Sequence, residues 1–372
     1  MKLPPRSPWV LVLAAAVVAG PTLLAGPATS ATTSSPQNGR VAFARAPDEG
    51  ALFTMNPDGT GLARIGKGEF PRFSPDGTKV SFACPVGEHI AVCVGGADGT
   101  NVHLITPDTS GMSNPPIDFF PTGWSPDGQL LLIDAGAGLS TRAAGIYTMR
   151  PDGSDLTRLT STPREQIPYG YSPDGSKILF LQTNADSSVN PDFPFDLYVM
   201  NADGTDKTKV NPPNLTLYCC LPPSADWSPD SLSVVFTAFD TFNKWGNGIA
   251  LYIAHADGSG VYRLTAAGNT SQQPVWSPDG KWIAYQKAGG FGWPKVMLVR
   301  PDGSGRHDIT SPSQGLGADM VWSPDSQRLM ITFGERPDYQ YDIWTMRRDG
   351  TDLTQLNDTR AFDEPLDWAV AP

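Results

Sequence analysis

Two short phrases alternate along this chain, and their alternation leaves few folds open. The first is an aromatic residue followed by Ser-Pro-Asp-Gly or Ser-Pro-Asp-Ser, opening at Phe73, Trp124, Tyr171, Trp227, Trp276 and Trp322. The second is an apolar run ending in Asp-Gly, at Asp58, Asp98, Asp152, Asp203, Asp257, Asp302 and Asp349. Successive aromatics of the first phrase stand 51, 47, 56, 49 and 46 residues apart. In Ser-Pro-Asp-Gly, proline presets φ for the first corner, Asp suits the second, and Gly takes the left-handed position that closes a hairpin. Asp-Gly alone is also a hairpin signal. Between the turns lie β-type runs such as Val80-Ser81-Phe82, Ile178-Leu179-Phe180 and Trp282-Ile283-Ala284-Tyr285. They are apolar on both faces, as strands of face-to-face sheets should be. No long stretch after residue 31 has helical periodicity.

Each repeat therefore reads as four short antiparallel strands, A to D, with Ser-Pro-Asp-Gly at the A–B turn and Asp-Gly at the C–D turn. A four-stranded unit of this length is a blade of an all-β propeller. Seven C–D phrases occur but only six full A–B phrases. Arg40-Val41-Ala42-Phe43 looks like a strand B with no strand A before it, and Pro365-Leu366-Asp367-Trp368-Ala369-Val370 looks like a strand A with no hairpin after it. Trp368 lies 46 residues after Trp322. The two fragments complement each other. The expectation is a seven-bladed β-propeller of four-stranded antiparallel blades, closed by the C-terminal strand against the N-terminal strand, which removes two exposed edges. Six blades is the alternative, should the atypical unit at 92–106 not be a full blade.

Residues 1–31 have a different composition. Lys2 and Arg6 precede an apolar run from Trp9 to Ala25, and Ala28-Thr29-Ser30-Ala31 follows. That is the pattern of a signal peptide with a small-residue cleavage site. Gly20 and Pro21 interrupt the run, so its unbroken part is short for the ~20 residues of a membrane-spanning helix. We expect a mature chain beginning near Thr32, a linker at 32–39, a propeller at 40–372, a secreted or cell-envelope location and no stable membrane anchor. The net charge of −11 and pI of about 4.8 repel phosphate backbones, which excludes nucleic acid as the expected partner.

The phrases, together with Arg158-Leu159-Thr160 and Arg263-Leu264-Thr265, resemble the PD40 (WD40-like) repeats of TolB-like propellers over about 40–372. The namesake of that family is a periplasmic protein that binds partner proteins and is not an enzyme. It carries an α/β domain before a six-bladed propeller, whereas here only a few residues separate the signal-like segment from the first strand. Similar propellers also sit beside hydrolase domains. No Gly-x-Ser-x-Gly occurs here, and Gly123-Trp124-Ser125-Pro126-Asp127 is a blade turn.

The regular turns fall on one face of such a disc, and the B–C and D–A connections on the other. The B–C loops at 134–145, 182–196, 239–248, 287–295 and 334–342 vary most in length, and unequal loops on a rigid scaffold are where binding concentrates. They carry Phe193, Phe195, Phe239, Phe242, Trp245, Phe291, Trp293, Tyr339 and Tyr341, rings suited to sugars and peptides. The candidate ligand-binding set is Phe242, Trp245, Phe291, Trp293, Tyr339 and Tyr341, with Asp226 and Asp367. These two belong to a group of D–A acids (Glu69, Asp118, Glu165, Asp226, Asp319, Asp363, Glu364, Asp367) near the expected channel. An oxygen-rich ring can hold Ca²⁺, which is the one candidate ion. The four histidines are scattered, so no transition-metal cluster and no other cofactor is expected. Cys84 and Cys93 fall on paired strands and can bridge; Cys219 and Cys220 are adjacent, with a vicinal bridge and free or intermolecular thiols both open. The expected function is non-enzymatic: a monomer that binds a protein or glycan through the B–C face. The alternative is a carbohydrate-active lyase or hydrolase using Asp226 and Asp367 with Tyr171 or Arg164.

Overall fold

A computed structural model of the chain contains strands and turns but no helix among its described residues. Those residues are 36–372 except 47–49, 88, 106–116, 137–143, 163, 184–193, 219–224, 241–248, 267–269, 289–293, 311–314, 336–339 and 359–361. The expected signal segment, 1–31, lies outside them.

The strands come in sets. The first three are β1 (Asn38–Ala46), β2 (Ala51–Met55) and β3 (Ala63–Lys67). Sets of four follow: β4 (Glu69–Phe73), β5 (Lys79–Val86), β6 (His89–Gly96) and β7 (His103–Leu104); β8 (Phe119–Trp124), β9 (Leu131–Ala135), β10 (Gly145–Met149) and β11 (Thr157–Arg158); β12 (Gln166–Tyr171), β13 (Lys177–Thr183), β14 (Pro194–Asn201) and β15 (Thr208–Lys209). A separate strand, β16 (Leu215–Tyr218), precedes β17 (Ala225–Trp227), β18 (Ser233–Asp240), β19 (Ile249–His255) and β20 (Tyr262–Arg263). Then come β21 (Ser271–Trp276), β22 (Ile283–Lys287), β23 (Lys295–Val299) and β24 (His307–Asp308), and β25 (Gly315–Trp322), β26 (Arg328–Glu335), β27 (Gln340–Arg347) and β28 (Thr354–Gln355). The last strand is β29 (Phe362–Val370).

Within each set the strands pair antiparallel in chain order. β29 pairs antiparallel with β1, Val41 opposite Trp368 and Arg45 opposite Asp363, so the C-terminal strand completes the first set as strand A. The atypical second set does form all four strands. Two pairs of sets are joined into larger sheets by short added pairings. Tyr341 pairs in parallel with Phe362, and β16 pairs on one side with β14 and on the other with β18.

The turn residues explain the hairpins. In Ser74-Pro75-Asp76-Gly77, Ser74 Oγ donates to Asp76 Oδ1 at 2.6 Å and accepts Lys79 N–H at 2.9 Å, while Asp76 Oδ1 accepts Thr78 N–H at 3.0 Å. The same Ser-to-Asp bond recurs in the five other turns of this kind. The Ser74 hydroxyl, then the Thr78 N–H, holds the Asp76 carboxyl below the usual carboxylate range. Outside the first set, whose β3 has five residues, the D strands are only two residues long, because a side chain takes over the ladder. Thr160 Oγ1 accepts Ile146 N–H, Asn211 Oδ1 accepts Leu197 N–H, Thr265 Oγ1 accepts Leu251 N–H and Asn357 Oδ1 accepts Ile343 N–H. That is the local reason for the Arg-Leu-Thr phrase: Thr caps the C strand, Leu159 and Leu264 pack inward, and Arg158 and Arg263 lie over the rings of Tyr147 and Tyr252.

Strands B and C are buried on both faces: every residue of β9 and β10 is buried, and Phe43, Phe82, Phe180 and Phe236, all on B strands, are fully enclosed. Phe195, expected among the loop aromatics, belongs to this core; it sits in β14 beside Leu217 of β16, which covers it. Strand A is an edge, which is why it tolerates Pro71, Pro121, Pro168, Pro274 and Pro365, residues with no N–H to donate. Each of these prolines lies at a register shift in the A–B pairing or next to one. Cys84 and Cys93 are bridged as expected, with Cα atoms 5.8 Å apart. The bridge is diagonal, since Cys84 is opposite Ala91 and Cys93 opposite Phe82.

Two turns carry Ser where the others carry Gly, and both serines have positive φ, 63° at Ser231 and 60° at Ser326. The hydroxyl offsets the strain. Ser231 Oγ accepts Asp174 N–H at 3.0 Å and Ser326 Oγ accepts Asp279 N–H at 2.9 Å, each from the preceding set. Ser326→Ala should therefore lose about 1–2 kcal/mol of stability, and Ser326→Gly about 1 kcal/mol less, because glycine relieves the left-handed strain while losing the same bond. Urea unfolding of both variants measures this. An unchanged Ala variant would show that the bond holds nothing, and equal losses would show that there is no strain to relieve.

Candidate functional site

The first strands of the sets meet one another: β4 with β8, β8 with β12, β17 with β21, β21 with β25, β25 with β29, and β29 with β4. Polar groups fix these contacts. Asp226 Oδ1 accepts the N–H of Trp227 at 2.9 Å, and its Oδ2 accepts the N–H of Trp276, in the next set, at 2.7 Å. Asp367 does the same with Trp368 at 2.9 Å and Phe73 at 2.7 Å. Where the residue before the aromatic is not an acid, an indole reaches back instead. Trp124 Nε1 donates to Arg72 O at 3.0 Å, and Trp322 Nε1 donates to Val275 O at 3.1 Å.

Asp226 and Asp367 were expected at a ligand. Their oxygens are engaged by backbone, and each keeps partial solvent access. Crowding by protein pushes Asp226 up to about 6, against the pull of its two N–H donors. Asp367 is raised for the same reason, with the Arg72 charge and the N–H donors opposing.

Beside Asp226 a recess of about 480 Å³ opens at the turn ends of β12, β17 and β21. Tyr169, Gly170, Tyr171, Trp227 and Trp276 form its walls. Among the described residues, neither Trp227 Nε1 nor Tyr171 Oη has a hydrogen-bond partner, though both atoms are buried. Burial pushes the Tyr171 hydroxyl up to about 12, with the Asp127 charge adding, so it is neutral.

At the loop end the buried acids serve the scaffold too. Asp363 is fully enclosed and accepts from Nε and Nη2 of Arg45, at 2.8 and 3.1 Å. Asp196 pairs with Lys209 at 2.8 Å and accepts from Asn211. Asp134, in β9, is buried; burial first and the Glu165 charge second push it up to about 7. Among the described residues no group of three or more His, Cys, Asp or Glu is arranged to hold a metal ion. Phe242, Trp245, Phe291, Trp293, Tyr339, Cys219 and Cys220 lie outside the described residues, and Tyr341 is placed as a β27 residue between Gly334 and Phe362.

No family model matches the chain. The Tol-Pal system protein TolB of Alcanivorax borkumensis is 34% identical over 86 residues, 23% of this chain and 20% of that protein. The chain thus spans about a fifth of the length of the curated relative it matches. Among solved structures, TolB from Acinetobacter baumannii superposes with a TM-score of 0.54 at 17% identity, over 89% of this chain and 66% of that one. The β-propeller domain of the Trilobed protease from Pyrococcus furiosus gives 0.63 at 15% identity, over 87% and 97%. The chain has the TolB-like β-propeller fold. A puromycin hydrolase mutant complexed with PGG gives 0.65 at 14% identity, over 88% and 54%, so the same propeller scaffold occurs in an enzyme.

Sequence reasoning missed the recess and Asp134. Asp134 had a signal, an acid inside the apolar run Leu131-Leu132-Ile133. The recess had one as well: Tyr171 to Trp227 is the longest of the repeat spacings, and the surplus residues build β16.

The raised Asp226 makes a titration prediction for the propeller. Its folded pKa stands above the unfolded one, so its contribution is fully present below about pH 4 and is lost as pH rises through about 6. Asp226→Asn cannot ionise. Beyond a pH-independent penalty for the lost acceptor, its stability relative to the parent should improve by about 1–2 kcal/mol between pH 4.5 and 7.5, after discounting for solvent access. A difference that stays flat across that range would mean the carboxylate is solvated normally.

Proposed function

We propose that the chain is an exported, monomeric, seven-bladed propeller that binds a protein or glycan at the cell envelope or outside the cell and does not catalyse. The blade count and closure rest on the seven four-strand sets among the described residues, the pairing of β29 with β1, and the contact of β29 with both β25 and β4. Export rests on the signal-like residues 1–31, and the location is consistent with the match to TolB.

The observation that carries the binding reading is how the inner acids are used. Asp226 and Asp367, the side chains best placed for acid–base chemistry, each join two blades through backbone N–H groups. The turn face repeats one hydrogen-bond pattern from blade to blade. Sequence variety is concentrated in the B–C loops, with Trp245 and Trp293 the strongest anchors, since truncating an aromatic hot spot costs about 2 kcal/mol or more of binding energy. Catalysis by Asp226 is the second reading; its pKa of about 6 beside a recess is a pattern shared with general acids.

Capture of proteins and glycans by the chain lacking residues 1–31 tests the binding reading. Trp245→Ala and Trp293→Ala should each weaken the captured interaction at least about tenfold with little loss of stability. Full affinity together with a lower melting temperature would make these tryptophans core. Turnover of a polysaccharide that disappears in Asp226→Asn would replace binding with catalysis.

Closure is tested by deleting 363–372. The truncation removes the Arg45–Asp363 pair and exposes β1 as a free edge. A melting temperature lower by several degrees is expected. A truncated chain that melts like the parent would rule out closure by β29.

A further inference from the structure

The recess between the Tyr171 and Trp227 blades breaks a rule kept at two other junctions. There the indole N–H donates to the carbonyl of the residue before the preceding aromatic: Trp124 to Arg72, which precedes Phe73, and Trp322 to Val275, which precedes Trp276. The corresponding partner for Trp227 is Gly170, which precedes Tyr171. That bond is not made, and Trp227 Nε1 is buried without a partner. A Cβ built on Gly170 would meet nothing within 4 Å. The gap has a structural origin. β16 is inserted between β14 and β18, so an extra strand stands between these two blades at the loop end, while Ser231 still ties them at the turn through Asp174 N–H. Trp368 Nε1 also lacks a partner; Trp227 differs in that its ring lines the recess.

The chemistry of the recess is restrictive. Trp227 Nε1 only donates, and the neutral Tyr171 hydroxyl donates or accepts. A ligand hydroxyl, which does both, satisfies the pair. Tyr169 and Trp276 supply flat apolar walls for the C–H face of a ring. Asp226 on the wall and the net charge of −11 disfavour an anion, and the indole N–H disfavours a cationic donor. The volume lies within the range of small-ligand pockets, roughly 300–1,000 Å³.

We propose that this recess is a subsite for a neutral sugar ring, seated between Trp227 and Gly170 with its hydroxyls on Trp227 Nε1 and Tyr171 Oη. The proposal rests on the glycan arm of the proposed function and moves it from the loop face to the turn face.

The test titrates the chain lacking residues 1–31 with cellobiose, maltose and diacetylchitobiose, with digalacturonate as the charged control and a neutral proline-rich peptide as the alternative occupant. Indole N–H resonances of ¹⁵N-tryptophan-labelled protein are followed, the Trp227 signal being assigned by its loss in Trp227→Phe. A neutral disaccharide should shift that signal. Tyr171→Phe and Trp227→Phe should each weaken binding about threefold to tenfold, with the melting temperature unchanged or raised, since each removes a buried polar atom that has no partner. The proposal is overturned if no neutral sugar moves the Trp227 signal, if Tyr171→Phe binds as the parent does, or if only the peptide or the charged dimer binds. Sugar binding lost in Trp245→Ala and Trp293→Ala but kept in Tyr171→Phe would sink the recess and leave the glycan reading standing. No sugar binding at all would sink both.

Discussion

The structure depends on joining small sheets that cannot stand alone. A four-stranded unit with apolar residues on both faces has no solvent side, so it is stable only between neighbours. Face-to-face packing supplies the burial: Phe43, Phe82, Phe119, Phe180 and Phe236 each sit fully enclosed in successive sets. Apolar packing is non-directional, however, and does not set one sheet against the next at a fixed height. Hydrogen bonds at the first strands do that. An Asp carboxylate reaching forward, an indole reaching back and a turn serine accepting from the preceding set are three solutions to the same alignment problem, used at different junctions.

These ties explain why polar groups that look functional are consumed by the scaffold. A carboxylate taken out of water needs donors to offset its desolvation. Asp226 and Asp367 find theirs in two backbone N–H groups each, and Asp363 finds Arg45. The offset is incomplete at Asp226, whose pKa stays above the ordinary range. It is least complete at Asp134, raised by burial and then by the negative charge of Glu165. Desolvation in this fold thus collects at the junctions and at the inner ends of the loops, while the outer turns repeat one hydrogen-bond pattern.

How much of this was legible in the sequence follows from where the determinants lie. The hairpins, the strand order within a set and the Cys84–Cys93 bridge are local: Ser-Pro-Asp-Gly and Asp-Gly carry the turn chemistry within four residues. The pairing of Arg40-Val41-Ala42-Phe43 with the C-terminal strand was also legible, because a missing strand at one end matched a surplus strand at the other. Contacts between sets were not. Asp226 and Asp367 read as ligand-binding acids, since nothing in Ala-Asp-Trp or Leu-Asp-Trp says that the second N–H partner stands 50 residues away for one and 294 for the other. Phe195 read as a loop aromatic because β16, the strand that buries it, has no turn phrase of its own.

The inserted strand then carries the argument from fold to function. In a row of similar units, every junction with similar residues should close in a similar way, and a donor left unpaired at one junction costs about 1–3 kcal/mol. That cost is tolerated at Trp227 because β16 holds the Tyr171 and Trp227 sets apart at the other end, and the turn bond from Ser231 does not bring the indole within reach of Gly170. Filling the gap with a larger residue at 170 is blocked as well, since its φ of 156° favours glycine. The opening is therefore built from two separate sequence departures: the long 171–227 spacing and glycine before the aromatic. Each alone reads as drift in the repeat. Together they keep one junction open, polar and lined with aromatic rings, which is the combination a hydroxyl-rich ring requires.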